Sequence, residues 1–495
     1  MNKNNELIRK YFEENSLVKS NIESFNYFVE KGMTEIVQEI GDIVPTIIPP
    51  EMEDFRIKLD KLEIEKPSLV EADGSKRDIY PSEARLRKLS YSAPIYLNVS
   101  VHIDGIQRET FKTQVGRIPI MVKSKYCHLS NLTGDKVIER GEDPDDPGGY
   151  FILNGNERVL ITVEDLASNK MFFERKKSGP SKYVAQIFSE RGAYRIPHEI
   201  TQHKDGIIYL SFTRFKKIPI IALTKALGLV KDEDIMKTIT GDERFDDVII
   251  NLYYCVDLKK QNDAIEYIGK RIGIEQPKDI LIEKTLENLD KYLFPHLGIR
   301  KEDRLKKAYN LCKLIRRFLI VANKHITIDK DHYMNKRLKQ SGDLLMDLFR
   351  INIRALVNDL LYNFQRLVKR GKFSSVKIII RDKLLTERIK SALATGAWVG
   401  GRKGISQNMQ RTNFLDLLSH LNRVVSLLSS SQENFAARAL HGTHFGRLCP
   451  IETPEGTSIG LRKNLALLGY VTHGSFNEEK LIKSFVSLGL KEAQW

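Results

Sequence analysis

One long stretch of the chain carries apolar residues at helical spacing, and it constrains the fold more than any other feature. The apolar positions fall on one face of a single helix: Leu345, Leu348, Phe349, Ile353, Leu356, Val357, Leu360, Phe364 and Leu367. A stripe of this kind is typical of a helix that buries one side against a core. The sequence therefore predicts a core helix after the polar segment 329–333.

Shorter patterns upstream of that helix predict strands as well as helices. Ser20 and Glu23 form a capping-box pattern in front of a second amphipathic helix. The region 55–106 contains alternating apolar and polar residues, which favours half-buried strands. Asn154 and Gly155 separate two apolar runs and predict a β-hairpin around an Asn-Gly turn. The fold class predicted for the chain is therefore α+β.

Length and composition limit the class of protein. A chain of 495 residues is long enough for roughly two to four domains. Short strands give way to charged helices between about 166 and 325, which indicates a second domain. Lys and Arg outnumber Asp and Glu by 79 to 64, a balance that fits a polyanionic partner and equally fits a surface kept soluble by charge. The start lacks a secretory signal and no apolar run could span a membrane, so we expect a soluble, cytoplasmic protein without membrane contact.

Residues that could bind a metal ion are few or badly spaced. The four cysteines lie far apart, so neither a zinc site nor a disulfide framework is predicted. Asp-x-Asp spacing occurs in turn-rich or charged segments, where solvated turn residues are expected: Asp143 with Asp145, and Asp329 with Asp331. His441 and His444 stand three apart but lack further ligands. We therefore predict no metal and no cofactor bound by this chain.

Residues 399–404, Val-Gly-Gly-Arg-Lys-Gly, combine backbone freedom with positive charge. Glycines let N–H groups approach closely, and Arg402 and Lys403 supply cations, so the segment could cradle a phosphate. A flexible, solvated loop is the alternative. Gln407 and Arg411 follow and suit hydrogen bonds to a nucleic-acid backbone, although such residues are also ordinary capping and surface residues. For residues 399–404 and for the segment with Gln407 and Arg411, contact with nucleic acid and an ordinary solvated surface therefore both remain possible interpretations.

Five cationic or potentially cationic residues follow within about 25 residues: Arg423, Arg438, His441, His444 and Arg447. They alternate with apolar residues and Gly, which leaves no obvious counter-ion close in sequence. A charge run is usually a solvated face, but without counter-ions its positive potential stays available for phosphates.

The stretch 450–456, Pro-Ile-Glu-Thr-Pro-Glu-Gly, holds two prolines and a glycine and predicts a rigid loop. Its carboxylates, Glu452 and Glu455, could act as a general acid and base. In this basic setting we expect them instead to pair with nearby arginines and fix the loop.

Residues 443–461 closely resemble the fork segment of the second-largest, β-like subunit of multisubunit RNA polymerases: Thr-His-Phe-Gly-Arg-Leu-Cys-Pro-Ile-Glu-Thr-Pro-Glu-Gly-Thr-Ser-Ile-Gly-Leu. Further blocks resemble the same family in the expected order, at residues 82–91, 148–155, 331–338 and 393–398. The amino-acid sequence of these blocks is closer to the archaeal and eukaryotic form of the subunit than to the bacterial one. The chain is similar to the amino-terminal half, known as B″, of the second-largest subunit in archaeal lineages that encode this subunit as two polypeptides; a truncated copy of an undivided subunit is the alternative.

The resemblance implies a multidomain arrangement with a discontinuous first domain. In chain order it implies a protrusion (1–165), an inserted lobe (166–325), the second part of the protrusion (326–385), a fork (386–472) and the start of an external region (473–495) completed by another chain. Residues 399–404 correspond to the first fork loop, near the upstream edge of the RNA–DNA hybrid. Residues 428–435 correspond to the second, near the downstream edge of the bubble. The second loop lacks the Gly and basic residues often found there, so its part in strand separation is in doubt.

The resemblance also implies roles for single residues. It puts Arg438 close to the incoming nucleotide and the RNA 3′ end, with Glu455 and His441 also near the active centre. It puts a second group on the path of the nucleic acid: Arg402, Lys403, Gln407, Arg411 and Arg423. None of these residues is implied to be catalytic or to hold metal, because the family's Mg²⁺ belongs to the largest subunit.

The implied activity is DNA-directed RNA synthesis, a nucleotidyl transfer, by a complex in which this chain is inactive alone. The implied partners are the largest subunit (A′/A″ type), a carboxy-terminal B′ chain, other polymerase subunits, the DNA template, the RNA–DNA hybrid and transcription factors. A free-standing basic nucleic-acid-binding protein without catalytic role is one alternative. A scaffold that only binds sister subunits is another.

Overall fold

The structure, a computed structural model, describes residues 3–176, 179–192, 194–241, 245–324, 328–372, 375–431, 433–472 and 478–490. Its α-helices are α1 (Lys3–Glu14), α2 (Lys19–Tyr27), α3 (Met33–Gln38), α4 (Pro81–Leu86), α5 (Asp135–Glu139), α6 (Ile220–Ala226), α7 (Asp232–Thr240), α8 (Asp246–Tyr254), α9 (Gln261–Ile272), α10 (Lys278–Tyr292), α11 (Arg304–Asn323), α12 (Ser341–Lys369), α13 (Asp382–Thr395), α14 (Phe414–Leu421), α15 (Phe435–Arg438) and α16 (Glu478–Ser487). Its strands are β1 (Phe55–Ile64), β2 (Ser68–Val70), β3 (Lys76–Asp78), β4 (Ser92–Ile103), β5 (Ile106–Pro119), β6 (Phe151–Leu153), β7 (Asn156–Leu160), β8 (Thr162–Leu166), β9 (Met171–Arg175), β10 (Ser181–Arg191), β11 (Tyr194–His203), β12 (Ile208–Phe212), β13 (Phe215–Pro219), β14 (Lys336–Lys339), β15 (Ser406–Asn408), β16 (Arg423–Ser426) and β17 (Arg462–Asn464). The mixed α+β fold class is confirmed.

The long helix α12 confirms the prediction made from its apolar stripe. Seven of the nine stripe residues are buried, and Val357 and Leu367 are half-buried. At the start of the helix the Gln340 N–H donates to Asp343 Oδ2 at 3.0 Å, which satisfies an N–H that the helix leaves open. Because α2, α3 and α13 all pack on α12, this helix organises the core of its unit.

Ser20 and Glu23 do not form the predicted capping box. The helix α2 begins one residue before Ser20, with Val18 at the N-cap position. The buried Ser20 hydroxyl instead accepts a hydrogen bond from Gln340 Nε2 at 3.2 Å, which ties α2 to the start of α12. The predicted apolar periodicity is correct, and a π-helical turn at Phe28–Gly32 carries it from α2 into α3.

The predicted hairpin around Asn154 and Gly155 is confirmed. Strands β6 and β7 pair antiparallel, with Leu153 opposite Asn156. Asn154 and Gly155 have φ angles of 49° and 78°, both positive as a two-residue primed turn requires. A Cβ atom on Gly155 would lie 2.9 Å from Lys88 Cα, so the position also needs glycine for space. The predicted strands between 55 and 106 are present too, since β1, β4 and β5 form an antiparallel sheet.

Leu166–Arg337 forms a compact unit of its own. It contains a five-stranded antiparallel sheet, in the order β13-β12-β11-β10-β9, and the helices α6 to α11. In its core the His198 ring stacks between Phe212 and Phe294, and His198 Nε2 accepts the Phe294 N–H at 3.1 Å. Burial lowers the pKa of His198 to about 4.

The other compact unit is formed by Met1–Asp165 together with Leu338–Trp495. Within the region expected to begin an external domain, residues 473–477 and 491–495 lie outside the described residues, and α16 lies between them. The apolar side chains of α16 remain exposed: Leu481, Ile482, Phe485 and Val486. No helix of the described residues combines the length and apolar character needed to cross a membrane.

Candidate nucleic-acid interface

A small sheet carries the best-defined group of basic residues in the carboxy-terminal part of the chain. Strand β16 pairs parallel with β8 and antiparallel with β17. Its register sets Val424 opposite Lys463 and Val425 opposite Arg462. Because successive side chains of a strand point to opposite faces, Val424 and Lys463 share one face, and Val425 and Arg462 share the other with Arg423.

On the inner face of this sheet, the positive charge of Lys463 is neutralised by a carboxylate of the protein. Lys463 Nζ lies 3.1 Å from both carboxylate oxygens of Glu164, and the two side chains are only 9% and 3% exposed. In a buried ion pair of this geometry, the mutual attraction offsets part of the cost of removing both charges from water. Lys463 is therefore a structural residue that joins β17 to β8.

The outer face keeps its positive charge. Arg423 is half-buried and donates from Nη1 to Gln410 Oε1 at 3.2 Å, while Arg462 is exposed. Within the described residues neither guanidinium forms an ion pair. Burial, followed by the charge of Arg462, lowers the pKa of Arg423. The two arginines thus repel each other across the sheet.

His420 holds the polar residues beside this face. Its buried ring accepts the Gln410 N–H at Nδ1, at 3.1 Å, so Nε2 carries the proton and faces Gln407 Oε1 at 3.4 Å. Burial and the neighbouring Arg423 lower the pKa of His420 to about 4. A neutral His420 therefore orients both Gln407 and Gln410.

The glycine-rich segment 399–404 forms an exposed turn, but one of its two cations is already engaged. Gly400, Gly401 and Gly404 have positive φ angles, with open space where a Cβ would lie. The Arg402 guanidinium forms an ion pair with Asp165. Lys403 is exposed and forms no ion pair within the described residues.

Arg411 lies in an ion-pair network rather than on an open basic surface. Its Nε donates to Glu157 Oε2 at 2.6 Å, and its Nη2 donates to Asp146 Oδ2 at 2.9 Å. Arg85 Nε donates to Oε1 of the same Glu157 at 2.7 Å, and this oxygen also accepts from Arg411 Nη2 at 3.0 Å. Burial alone would lower the pKa of Arg411, but these carboxylates raise it. The network lines an open cavity of about 700 Å³, together with Glu142 and other residues.

Arg438 ties two loops together through backbone carbonyls. Its Nη1 donates to the oxygens of Thr457 and Ile459, at 2.7 and 3.0 Å, and its Nη2 donates to Ser430 at 2.9 Å. Gly460 packs against the Arg438 backbone so closely that a Cβ would lie 2.2 Å from the Arg438 oxygen. These bonds hold the loop at residue 430 against the segment 457–460.

His441 caps a short 3-10 turn, Gly442–His444, by accepting the Thr443 N–H at Nδ1 at 3.1 Å. Its ring lies 6.1 Å from that of His444, centroid to centroid. Among the described residues, no three His, Cys, Asp or Glu side chains are grouped as metal ligands would be.

The prediction that Glu452 and Glu455 pair with arginines is wrong, because within the described residues neither carboxylate forms an ion pair. Glu452 Oε1 instead accepts hydrogen bonds from Ser419 Oγ at 2.6 Å and Asn464 Nδ2 at 2.7 Å. These neutral donors fix the loop to α14 and β17. Glu455 is exposed.

The structure brings some of the predicted residues together and adds others. Hydrogen bonds through Gln410 and His420 connect Arg423 with Gln407. Arg411 follows Gln410 in the sequence but bonds to Glu157 and Asp146. Arg438 is the last residue of α15, and His441 lies in the turn after it. Sequence reasoning missed His420 and Arg462. A histidine on the apolar face of α14, three residues before Arg423, was the available signal for the first; the strand alternation of Arg462 with Lys463 was the signal for the second.

Two family profiles match the chain. One, described as RNA polymerase beta subunit, matches residues 16–387. The other, described as RNA polymerase Rpb2, domain 3, matches residues 407–471. The second includes the whole of β16 and β17, and so the sheet face that carries Arg423 and Arg462.

Named archaeal proteins are similar over almost the whole chain. DNA-directed RNA polymerase subunit Rpo2 of Saccharolobus solfataricus is 43% identical over 488 residues, which cover 98% of this chain and 43% of that protein. Subunit Rpo2N of Methanocaldococcus jannaschii is 42% identical over 495 residues, covering 98% of both chains. Subunit Rpo2N of Halobacterium salinarum is 40% identical over 499 residues, covering 98% and 95%. The chain spans less than half of the Rpo2 relative and nearly all of the Rpo2N relatives, and it therefore belongs to the family of second-largest, beta-type RNA polymerase subunits, as the amino-terminal portion of that subunit.

Proposed function

We propose that this chain is a subunit of a cytoplasmic, DNA-dependent RNA polymerase that synthesises RNA from ribonucleoside triphosphates under the direction of a DNA template. The observation that carries the proposal is its similarity, over 98% of its length, to a protein named as a polymerase subunit. The unneutralised basic face of the β16–β17 sheet supports it, since a template and transcript are polyanions.

The domain names follow from the same proposal. The unit formed by residues 166–337 would be the lobe, and the unit that contains α12 would hold the protrusion and the fork. Together they would form one side of the DNA cleft. Phosphate contacts by dispersed Lys and Arg residues would position the nucleic acid without reading its sequence.

The chemistry would depend on another chain. Nucleotidyl transfer uses carboxylates that hold Mg²⁺, and the described residues contain no grouped set of that kind; we propose that the largest subunit supplies it. Arg438, Glu455 and His441 would lie near the active centre. Arg438 would act there by holding the loops at 430 and 457–460 in place, because its guanidinium is committed to carbonyl oxygens.

Apolar side chains around the fork indicate where partner chains would bind. Phe445, Ile451 and Phe435 are 91%, 85% and 83% exposed, and large exposed apolar patches are typical of interfaces. The chain spans 43% of the length of the undivided relative. We propose that the remaining part of the subunit, as a B′-type chain, and the largest subunit cover this surface.

Reconstitution tests the proposal. The chain, a B′-type chain and a largest subunit are co-expressed with the other subunits, and RNA synthesis is measured on a primed template with and without this chain. We expect synthesis only when it is present. Phe445→Asp should reduce recovery of the complex, because a charge would be buried at the interface, whereas Ile106→Asp, at an exposed apolar residue of the β4–β5 hairpin, should not.

A chain that folds, binds DNA alone and is dispensable for synthesis would contradict the proposal. That result would favour a free-standing nucleic-acid-binding protein. Normal assembly without any dependence of RNA synthesis on the chain would favour a scaffold.

A further inference from the structure

Arg423 and Arg462 lie on the same face of the β16–β17 sheet. Arg423 is opposite Asn464, and Arg462 is opposite Val425, two residues further along β16. Diagonal neighbours in an antiparallel pair are separated by about 7 to 8 Å, a distance that two long side chains readily bridge. One small ligand could therefore contact both guanidinium groups.

The charge of this pair is not neutralised by the protein, unlike that of its neighbours. Arg402 pairs with Asp165, Arg411 pairs with Glu157, and Lys463 pairs with Glu164. Within the described part of the chain, neither Arg423 nor Arg462 comes within ion-pairing distance of a carboxylate. Burial, and after it the positive charge of Arg462, lowers the pKa of Arg423.

Two carboxylates whose charge acts on Arg423 accept hydrogen bonds from other donors and form no ion pair with it within the described residues. Asp416 and Glu452 are close enough to act on Arg423 through their charge. However, Glu452 accepts hydrogen bonds from Ser419 and Asn464, and Asp416 accepts the Thr412 N–H at 3.4 Å. His420, which is neutral, adds no charge of either sign. An external anion would remove the repulsion between the two arginines.

We infer that Arg423 and Arg462 form one binding position for a single backbone phosphate of a nucleic acid. The planar guanidinium group can donate two parallel hydrogen bonds to two phosphate oxygens, and two guanidinium groups can bind one phosphate from two sides. Gln410 accepts a hydrogen bond from Arg423 and so fixes the orientation of the Arg423 guanidinium group. The inference rests on the proposed function and adds Arg462, paired with Arg423, as a specific phosphate contact.

The test uses the assembled polymerase, with binding to a fluorescent RNA–DNA scaffold measured over a range of KCl concentrations. The variants are Arg423→Gln, Arg462→Gln and the double variant; Arg108→Gln, which removes an exposed charge from β5, is the matched control. Each single variant should weaken binding about tenfold, as expected for a lost charge-assisted hydrogen bond. Each should also reduce the slope of log binding constant against log KCl concentration by about 1, the value for one lost phosphate contact. Because the phosphate is shared, the double variant should be little worse than either single variant.

Two results would overturn the inference: binding by Arg462→Gln that equals the control, or a double variant whose loss is the sum of two independent contacts. A second scaffold of duplex DNA alone identifies the source of the phosphate. A loss confined to the RNA–DNA scaffold assigns it to the hybrid, and a loss on both assigns it to DNA. The proposed function fails separately, if the unsubstituted enzyme does not need this chain for RNA synthesis.

Discussion

Replacing Lys463 with Met should loosen the β8–β16–β17 sheet. The substitution keeps most of the side-chain volume but removes an ammonium that lies 3.1 Å from both oxygens of Glu164, in a site only 9% and 3% exposed. Breaking a buried ion pair by removing one of its partners costs about 3 to 5 kcal/mol. Replacing both partners, as Glu164→Leu with Lys463→Met, should recover most of that loss, because no buried charge remains.

Hydrogen exchange of the whole chain measures this effect locally, since a chain with two compact units has no single unfolding free energy. Peptides covering β16 and β17 should lose protection by about a hundredfold in Lys463→Met, which corresponds to about 3 kcal/mol. Lys136→Met, at an exposed lysine of α5, should leave these peptides unchanged. Full protection in the single variant, or equal loss in the single and double variants, would refute the argument that breaking the buried Lys463–Glu164 ion pair is responsible.

Three further predictions concern other parts of the chain. Lowering the pH from 7.5 to 5 should destabilise the 166–337 unit by about 2 kcal/mol, as measured by pulse proteolysis. His198 has a pKa of about 4 in the folded chain and stays neutral over this range. In the unfolded chain the same histidine has its ordinary pKa of about 6.5 and takes up a proton. The loss should be absent above pH 7 and smaller in His198→Gln. Gly460→Ala should increase proteolysis between residues 399 and 464 far more than Gly401→Ala, since both residues have a φ angle of 72° but only at Gly460 would the Cβ meet Arg438. Equal effects would show that backbone strain alone is responsible. Arg411→Ala should reduce protection of the β6–β7 hairpin by about 1 to 3 kcal/mol, because Glu157 loses its hydrogen bonds from Arg411 and keeps only Arg85. An unchanged exchange rate in this hairpin would count against the network.

The elements that were predicted correctly depend on residues close together in sequence. The α12 helix follows from an apolar repeat that one helical face must bury, and the Asn154-Gly155 turn follows from the need for two positive φ angles. Ser20 shows where that logic ends. Its hydroxyl bonds to Gln340, 320 residues away in the sequence, and no local pattern signals such a partner.

The same limit applies to the candidate site. The sequence indicates that Arg402 and Arg411 could contact phosphate, but Asp165 and Glu157 reach them from 237 and 254 residues away. Arg423 has no such distant partner within the described residues. Which of several arginines keeps its charge available is therefore decided by tertiary structure, and only the concentration of basic residues could be predicted.

The β16–β17 register also decides which basic side chains are buried and paired and which face outward. Adjacent residues of β17 point to opposite faces of the sheet, so a shift of one residue would exchange them. In the observed pairing Lys463 reaches Glu164 inside, while Arg423 and Arg462 face outward. A slip of one residue in β17 would turn Arg462 inward, toward a single carboxylate and an apolar neighbour, and would turn Lys463 outward. A one-residue insertion or deletion in this short strand would therefore exchange which basic side chain faces outward, so the length of β17 itself determines the charge of this surface.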